Sequence, residues 1–192
     1  DIGNQVYCVD KDLDKINKLN SGISPIYEPG LDELIKKNFN AKRLIFTNDL
    51  KKAINASDII FICVGTPNKK GTLKVDLSFV YKCVKEILSY TKNKKIIVTK
   101  STVPVGTGDE IEKILKKKKK LFSIISNPEF LREGEAIRDF IYPDRVVVGS
   151  NEQKSNKILK NLYSPLITKG AKYVHTSRRA AELIKYASNA FL

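Results

Sequence analysis

Short apolar runs rich in β-branched residues alternate along this chain with longer stretches in which apolar residues return every three or four positions. Residues 5–9 predict a strand closing on Asp10, and 11–19 a helix with Ile16 and Leu19 on one face. After a turn around 21–26, Glu28-Pro29-Gly30 opens a second helix running to Phe39; 43–47 predicts a strand and 49–55 a short helix. The clearest strand is 58–64, Asp-Ile-Ile-Phe-Ile-Cys-Val, whose unbroken apolar character is what burial on both faces of a parallel sheet demands. Helices follow at 76–90, 105–116, 152–163 and 179–192, and strands at 95–99, 122–126, 145–149 and 173–175. Such βα repetition predicts an α/β fold, a doubly wound parallel sheet with helices on both faces.

In an open parallel sheet ligands bind where strands end at their carboxyl side. Asp10 closes the first strand, the place from which a carboxylate accepts hydrogen bonds from ribose hydroxyls. It would also repel a 2′-phosphate, favouring NAD over NADP. Equally, Asp10 reads as the N-cap of the next helix. Val64-Gly65-Thr66-Pro67 and Lys100-Ser101-Thr102-Val103-Pro104-Val105-Gly106 follow two further strands and bring hydroxyls and backbone N–H groups, with Pro104 where a helix, and hence a phosphate-attracting N-terminus, would begin. Ser126 to Gly134 follows another. Its Glu129 and Glu133 are four residues apart, hence on one face if the segment is helical, and read either as acids favoured by a helix dipole or as a general base with an orienting partner. Lys185 and Asn189 lie one turn apart on the last helix, either as ordinary exposed positions or as a cation and an amide placed to stabilise an oxyanion.

Composition narrows the class without deciding the chemistry. The chain has 192 residues, 42% hydrophobic and 29% charged, within the range of globular domains. No apolar run reaches the roughly 20 residues of a membrane span, and the chain start shows no signal-peptide pattern, so no membrane partner is expected. Cys8, Cys63 and Cys83 are too widely spaced for a disulfide framework or a CxxC metal site, so no metal is expected and a reducing, cytoplasmic compartment fits. The formal charge is +14, but only six of the 35 basic residues are Arg and the other 29 are Lys spread over most predicted helices. Nucleic-acid readers favour Arg forks and interleaved aromatics, so the excess reads as solvated surface; a basic nucleic-acid-binding module remains the distant alternative, and no nucleic-acid partner is expected. Met is absent and the last helix runs to the final residue without a stop signal, which together point to a piece of a longer protein.

Read in order, several motifs become recognisable: Val-Asp at 9–10, Pro-Ile-Tyr-Glu-Pro-Gly-Leu-Asp-Glu-Leu at 25–34, Val-Gly-Thr-Pro at 64–67, Lys-Ser-Thr-Val-Pro-Val-Gly-Thr-Gly at 100–108, Ser-Asn-Pro-Glu-Phe-Leu-Arg-Glu-Gly at 126–134, Pro-Asp-Arg-Val-Val-Val-Gly at 143–149 and Glu-Leu-Ile-Lys-Tyr-Ala-Ser-Asn-Ala-Phe-Leu at 182–192. Over the whole chain they resemble the UDP-glucose 6-dehydrogenases of the UDP-glucose/GDP-mannose dehydrogenase family. The resemblance implies a four-electron oxidation of UDP-glucose to UDP-glucuronate with two NAD, through a thioester on a Cys. It implies a Rossmann-type NAD-binding domain over 1–175 and the start of a central helical dimerisation and substrate region over 176–192.

By motif, Asp10 and Lys15 would hold the adenosine ribose, and Val64, Gly65, Thr66, Pro67, Asn68, Ser101, Thr102, Val103 and Glu133 the rest of the cofactor. Glu129 would be the base for thioester hydrolysis, Thr102 would position water, and Lys185 with Asn189 would stabilise the oxyanion. Glu129, Phe130, Leu131, Arg132, Glu133, Lys185 and Asn189 would touch substrate. The family's first strand with its GxGYVG loop would precede Asp1 and its catalytic Cys would follow Leu192, so the chain alone is expected to be inactive, its sheet slotted between the strands at 5–9 and 58–64, and its stability poor. The full-length protein is expected to be a homodimer or higher homo-oligomer. UDP-N-acetylmannosamine or GDP-mannose is the alternative substrate.

Overall fold

The computed structural model describes residues 3–191; Leu192, which the sequence places in the final helix, lies outside them with Asp1 and Ile2. The elements follow in the order β1 (Val6–Val9), α1 (Leu13–Asn20), α2 (Leu31–Asn40), β2 (Leu44–Thr47), α3 (Leu50–Ala56), β3 (Ile59–Ile62), α4 (Ser78–Tyr90), β4 (Lys95–Thr99), α5 (Thr107–Ile114), β5 (Phe122–Ser126), α6 (Ala136–Ile141), β6 (Arg145–Ser150), α7 (Gln153–Leu162), α8 (Ser164–Thr168), β7 (Lys172–Thr176) and α9 (Arg178–Ala190). The chain divides into two compact units, Asp1–Ser57 with Leu131–Pro143, and Asp58–Phe130 with Asp144–Leu192.

In the first unit β1 and β2 pair in parallel, from Val6 opposite Leu44 to Val9 opposite Thr47. Helix α1 starts where Asp12 accepts the Lys15 N–H, which satisfies one of the donors that every helix start leaves without a partner. Ile16 of α1, Ile35 of α2 and Phe46 of β2 meet in a small core edged by Cys8, Leu19, Leu31 and Leu44. Each such burial contributes about 1.5–3 kcal/mol. The segment 131–143 is tied to this unit by Glu28, whose carboxylate accepts the Gly134 N–H at 2.9 Å and the Ile137 N–H at 3.4 Å.

The second unit is a five-stranded sheet in the order β3-β4-β5-β6-β7. All five residues of β4 are buried, as a central strand requires, between parallel neighbours β3 and β5. Val80, Val84 and Ile87 of α4, Ile111 of α5, Leu159 of α7 and Ala181 of α9 supply much of the surrounding core. The expectation of a wholly parallel sheet needs one correction, because β6 runs antiparallel to β5, through only Ile125 opposite Ser150 and Ser126 opposite Gly149. A parallel neighbour needs a crossover to the far end of the sheet, whereas the 127–144 connection holds one six-residue helix and returns the chain beside the end it left. Pairing between β6 and β7 is parallel again.

Helices α6 and α8 are absent from the sequence reading; both are under two turns, too short to show an apolar period, though Pro165 in the first turn of α8 is a start signal. Residues 116–121 form a 3-10 segment rather than a continuation of α5, where consecutive lysines gain nothing from further α-helical stacking. Among the described residues no ladder joins the β1–β2 pair to the five-stranded sheet.

Candidate functional site

In the first unit the chemistry gathers at the end of β1. Lys15 Nζ donates to Asp10 Oδ2 at 2.6 Å and the Asp12 N–H to Oδ1 at 3.0 Å. These contacts, Lys15 foremost, hold the Asp10 carboxyl below the usual carboxylate range, while the Asp10 hydrogen bond raises the Lys15 ammonium. The N-cap of α1 is Asp12, not Asp10, so the structural reading of Asp10 falls away. What remains is an ionised, half-exposed carboxylate at a strand end with lone pairs left for a diol, backed by a cation on the following helix.

The same unit holds Leu131, Arg132 and Glu133. The Arg132 guanidinium forks onto Asp139, with Nη2 donating to Oδ1 at 2.7 Å and Nε to Oδ2 at 3.0 Å, and the Arg132 N–H also reaches Oδ2. That fork depresses the Asp139 carboxyl to about 2. Glu133 is exposed in the turn before Gly134. Residues 127–135 are not helical, so Glu129 and Glu133 do not share a helix face and in fact belong to different units.

In the second unit two loops are laced together at the ends of β3 and β4. The Ser101 hydroxyl donates to the Val64 carbonyl at 2.6 Å and the Thr66 hydroxyl to the Thr102 carbonyl at 2.8 Å. Val103, the next residue, is buried. Beyond Pro67, the 68–75 turn closes through the Asn68–Val75 bridge, and the Asp76 N–H donates to the Pro67 carbonyl. A Cβ built at Gly65 meets no atom within 4 Å, which leaves open space beside this loop.

Next to β5 the chain brings together Glu129, Phe130 and Lys185. Lys185 Nζ lies 3.2 Å from Glu129 Oε1, with side chains 9% and 31% exposed respectively. The Phe130 ring is approached by Lys185 Nζ at 5.4 Å and by the Arg145 guanidinium at 4.8 Å, so a π face helps hold the cation. Asn189 is exposed one turn beyond Lys185 on α9.

Behind this pair stands a group the sequence reading did not single out. Lys100 Nζ donates to Asn127 Oδ1 at 3.3 Å, the same oxygen that accepts the Tyr163 hydroxyl at 2.6 Å, while Asn127 Nδ2 donates to the Val147 carbonyl at 2.7 Å. Burial is the main cause that brings the Lys100 ammonium down to about 8; Cys63 and Glu129 work the other way, and Lys185 adds to the lowering. Burial likewise raises the Tyr163 hydroxyl. The available signal was a lysine placed directly after a strand with no exposed position.

Taken separately, the carboxylate–lysine pair of the first unit has acceptors suited to ribose hydroxyls, and the laced loops of the second unit have open space beside Gly65. Among the described residues no cluster of His, Cys, Asp and Glu could hold a metal ion, and no helix is long and apolar enough to cross a membrane.

Comparison with known proteins gives the arrangement a context. The family model of the UDP-glucose/GDP-mannose dehydrogenase family, NAD binding domain, matches residues 1–167. UDP-glucose 6-dehydrogenase of Rhizobium meliloti is 49% identical over 196 aligned residues that take in all of this chain and 45% of the relative; that of Bacillus subtilis is 48% identical over 195, with 41% of the relative covered. The chain thus spans less than half the length of these relatives. Two solved structures superpose at a TM-score of 0.92 and 34% identity. They are a GDP-mannose dehydrogenase from Pseudomonas aeruginosa, covering 98% of this chain and 44% of that one, and a UDP-glucose dehydrogenase from Pyrobaculum islandicum, covering 99% and 44%.

Proposed function

Because the chain belongs to the UDP-glucose/GDP-mannose dehydrogenase family, matching its NAD-binding domain, we propose that it serves the oxidation of UDP-glucose at C6 to UDP-glucuronate, as part of a longer protein. The observation that carries this reading is the pairing of buried Lys185 with half-buried Glu129, 3.2 Å apart, just after β5. The choice of glucose is supported by curated relatives of 44–49% identity, from Rhizobium, Rickettsia and Bacillus, named for that substrate.

The overall change is RCH2OH + 2 NAD+ + H2O → RCOO− + 2 NADH + 3 H+, and NAD supplies the hydride acceptor at each of the two oxidations. Asp10 and Lys15 hold the adenosine ribose. Val64, Gly65, Thr66, Pro67 and Asn68, with Ser101, Thr102, Val103 and Glu133, line the remainder of the cofactor. Lys185 presents an ammonium to the oxygen on C6 as negative charge gathers there, and Asn189 adds an amide donor. Glu129 takes the proton of the attacking water, which Thr102 positions. Phe130, Leu131 and Arg132 touch substrate; Asp139 holds the Arg132 guanidinium and its N–H, and most of that side chain stays exposed for the contact. The thiol that carries the acyl group is none of Cys8, Cys63 or Cys83 and belongs to the longer protein. A cytoplasmic homodimer or higher homo-oligomer is the proposed setting.

The test is NADH formation by the full-length protein with UDP-glucose, GDP-mannose and UDP-N-acetylmannosamine as a panel. UDP-glucose is expected to be turned over first, with two NADH per sugar; no absorbance change with UDP-glucose refutes the assignment, and turnover of GDP-mannose instead moves it to the substrate of the Pseudomonas neighbour. Lys185→Met is expected to cut kcat by about 100-fold or more.

A further inference from the structure

Glu182 lies one turn before Lys185 on α9 and has no part in the chemistry just assigned. The residue is 3% exposed, yet its carboxylate is fully engaged. Oε2 accepts the Gly106 N–H at 2.7 Å, and Oε1 accepts the Gly108 N–H at 2.8 Å and the Ser126 hydroxyl at 3.2 Å. Gly106 is the N-cap of α5, held at φ +95°, a left-handed conformation that favours glycine, and it has no side chain to cap the helix it begins. The carboxylate from α9 does so from outside, satisfying two donors at the positive end of the helix dipole.

One side chain therefore touches three places: the start of α5, just after the Ser101–Thr102 loop; the end of β5, just before Asn127 to Glu129; and the helix that carries Lys185. The fit is tight, since a Cβ at Gly108 would lie 3.1 Å from Glu182 Oε1 and 3.3 Å from Arg178 Cδ. Arg178 holds α9 to α5 a second time, donating to Asp109 at 2.8 Å and Glu112 at 2.6 Å.

We propose that Glu182 is a positioning residue: by gripping the start of α5 and the end of β5 from α9, it sets where the Lys185 ammonium stands relative to Glu129. This rests on the reading of Lys185 and Glu129 as the reacting pair. The Glu182→Gln change keeps the size of the side chain but replaces an acceptor oxygen by an amide donor, leaving one glycine N–H without a partner. In the full-length protein, with sites counted by NADH binding, kcat is expected to fall by about 10- to 100-fold. KM for NAD and for UDP-glucose should stay within about threefold of the parent, because binding groups are untouched. Hydrogen–deuterium exchange should rise together in 101–108 and 183–190.

An unchanged kcat, a raised KM for NAD with kcat intact, or faster exchange in 101–108 alone each overturns the proposal, since the acid would then act as a local cap. Ser126→Ala removes one donor and preserves the carboxylate, so it covers the case in which Glu182→Gln does not fold; a fall in kcat of about two- to fivefold at constant KM is expected, and no fall refutes the proposal. If the parent protein fails to oxidise UDP-glucose, the proposed function fails by itself, and the paired exchange in the two segments still decides the role of Glu182.

Discussion

Lys100 is a cation held where burial works against its charge. Folding lowers its proton affinity from the ordinary 10.5 to about 8, so between those values the unfolded chain binds the extra proton and stability rises with pH. Below pH 8 the cost is fully present, on the order of 3 kcal/mol. Lys100→Met is therefore expected to raise stability in urea at pH 6–7, with the gain shrinking above pH 8 and gone near 10.5; a gain that ignores pH would refute the account. Asp139 shows the opposite sign. Arg132 holds its carboxyl at about 2, so its contribution to stability is present above the ordinary 3.8 and is lost as pH falls through about 2. In Arg132→Ala, NMR titration of Asp139 should return towards 3.8. Neither value was legible from sequence, nor was the duty of Glu182, because a charged residue next to an apolar run reads as surface until its burial is known. Asp10 was legible as a carboxylate at a strand end, and of its two readings the N-cap one is excluded, because Asp12 is the cap.

At the scale of elements, the strongest strands read true: 95–99 and 122–126 match β4 and β5 to the residue, since continuous β-branched runs leave no other periodicity. The reversal of β6 did not show, because strand direction lies in the connection rather than in the strand's own pattern. Gly149 is another feature that pattern hides. A Cβ there would come within 2.7 Å of Ala181 Cβ and of the Ser177 carbonyl, so β6 and α9 approach through a glycine. Gly149→Ala should cost about 2–3 kcal/mol in equilibrium unfolding, a clash of backbone that no rotamer relieves. In the first unit, Glu28→Ala removes the carboxylate that ties 131–143 to the turn before α2, and proteolytic cleavage within 131–143 should speed up while sites in 58–130 keep their rates.

For the whole molecule, the apolar run at 58–64 promised a strand buried on both faces, yet Ile59, Ile60 and Phe61 are only half-buried and Ile62 alone is fully so. β3 has a strand neighbour on one side, β4, and β1 likewise has only β2 among the described residues, with Val6 and Val9 exposed at 42% and 39%. Two open strand edges with apolar flanks invite pairing between molecules. Sedimentation of the 192-residue chain by itself should show self-association at micromolar concentration, and a clean monomer would argue that the edges are protected. Two neighbours at the same TM-score are named for different nucleotide sugars, so the backbone of this part is shared by dehydrogenases named for either one.

The antiparallel step also has a mechanical meaning. Five residue pairs join β4 to β5 and five join β6 to β7, but only two join β5 to β6. Under load the five-stranded sheet has a seam there, and the Asn127 amide reaching across to the Val147 carbonyl acts as a rivet beyond the end of the ladder. Because that rivet also anchors Lys100 and Tyr163, a strand separation that starts at the seam would disturb the ground behind Lys185 and Glu129 before any helix unravels.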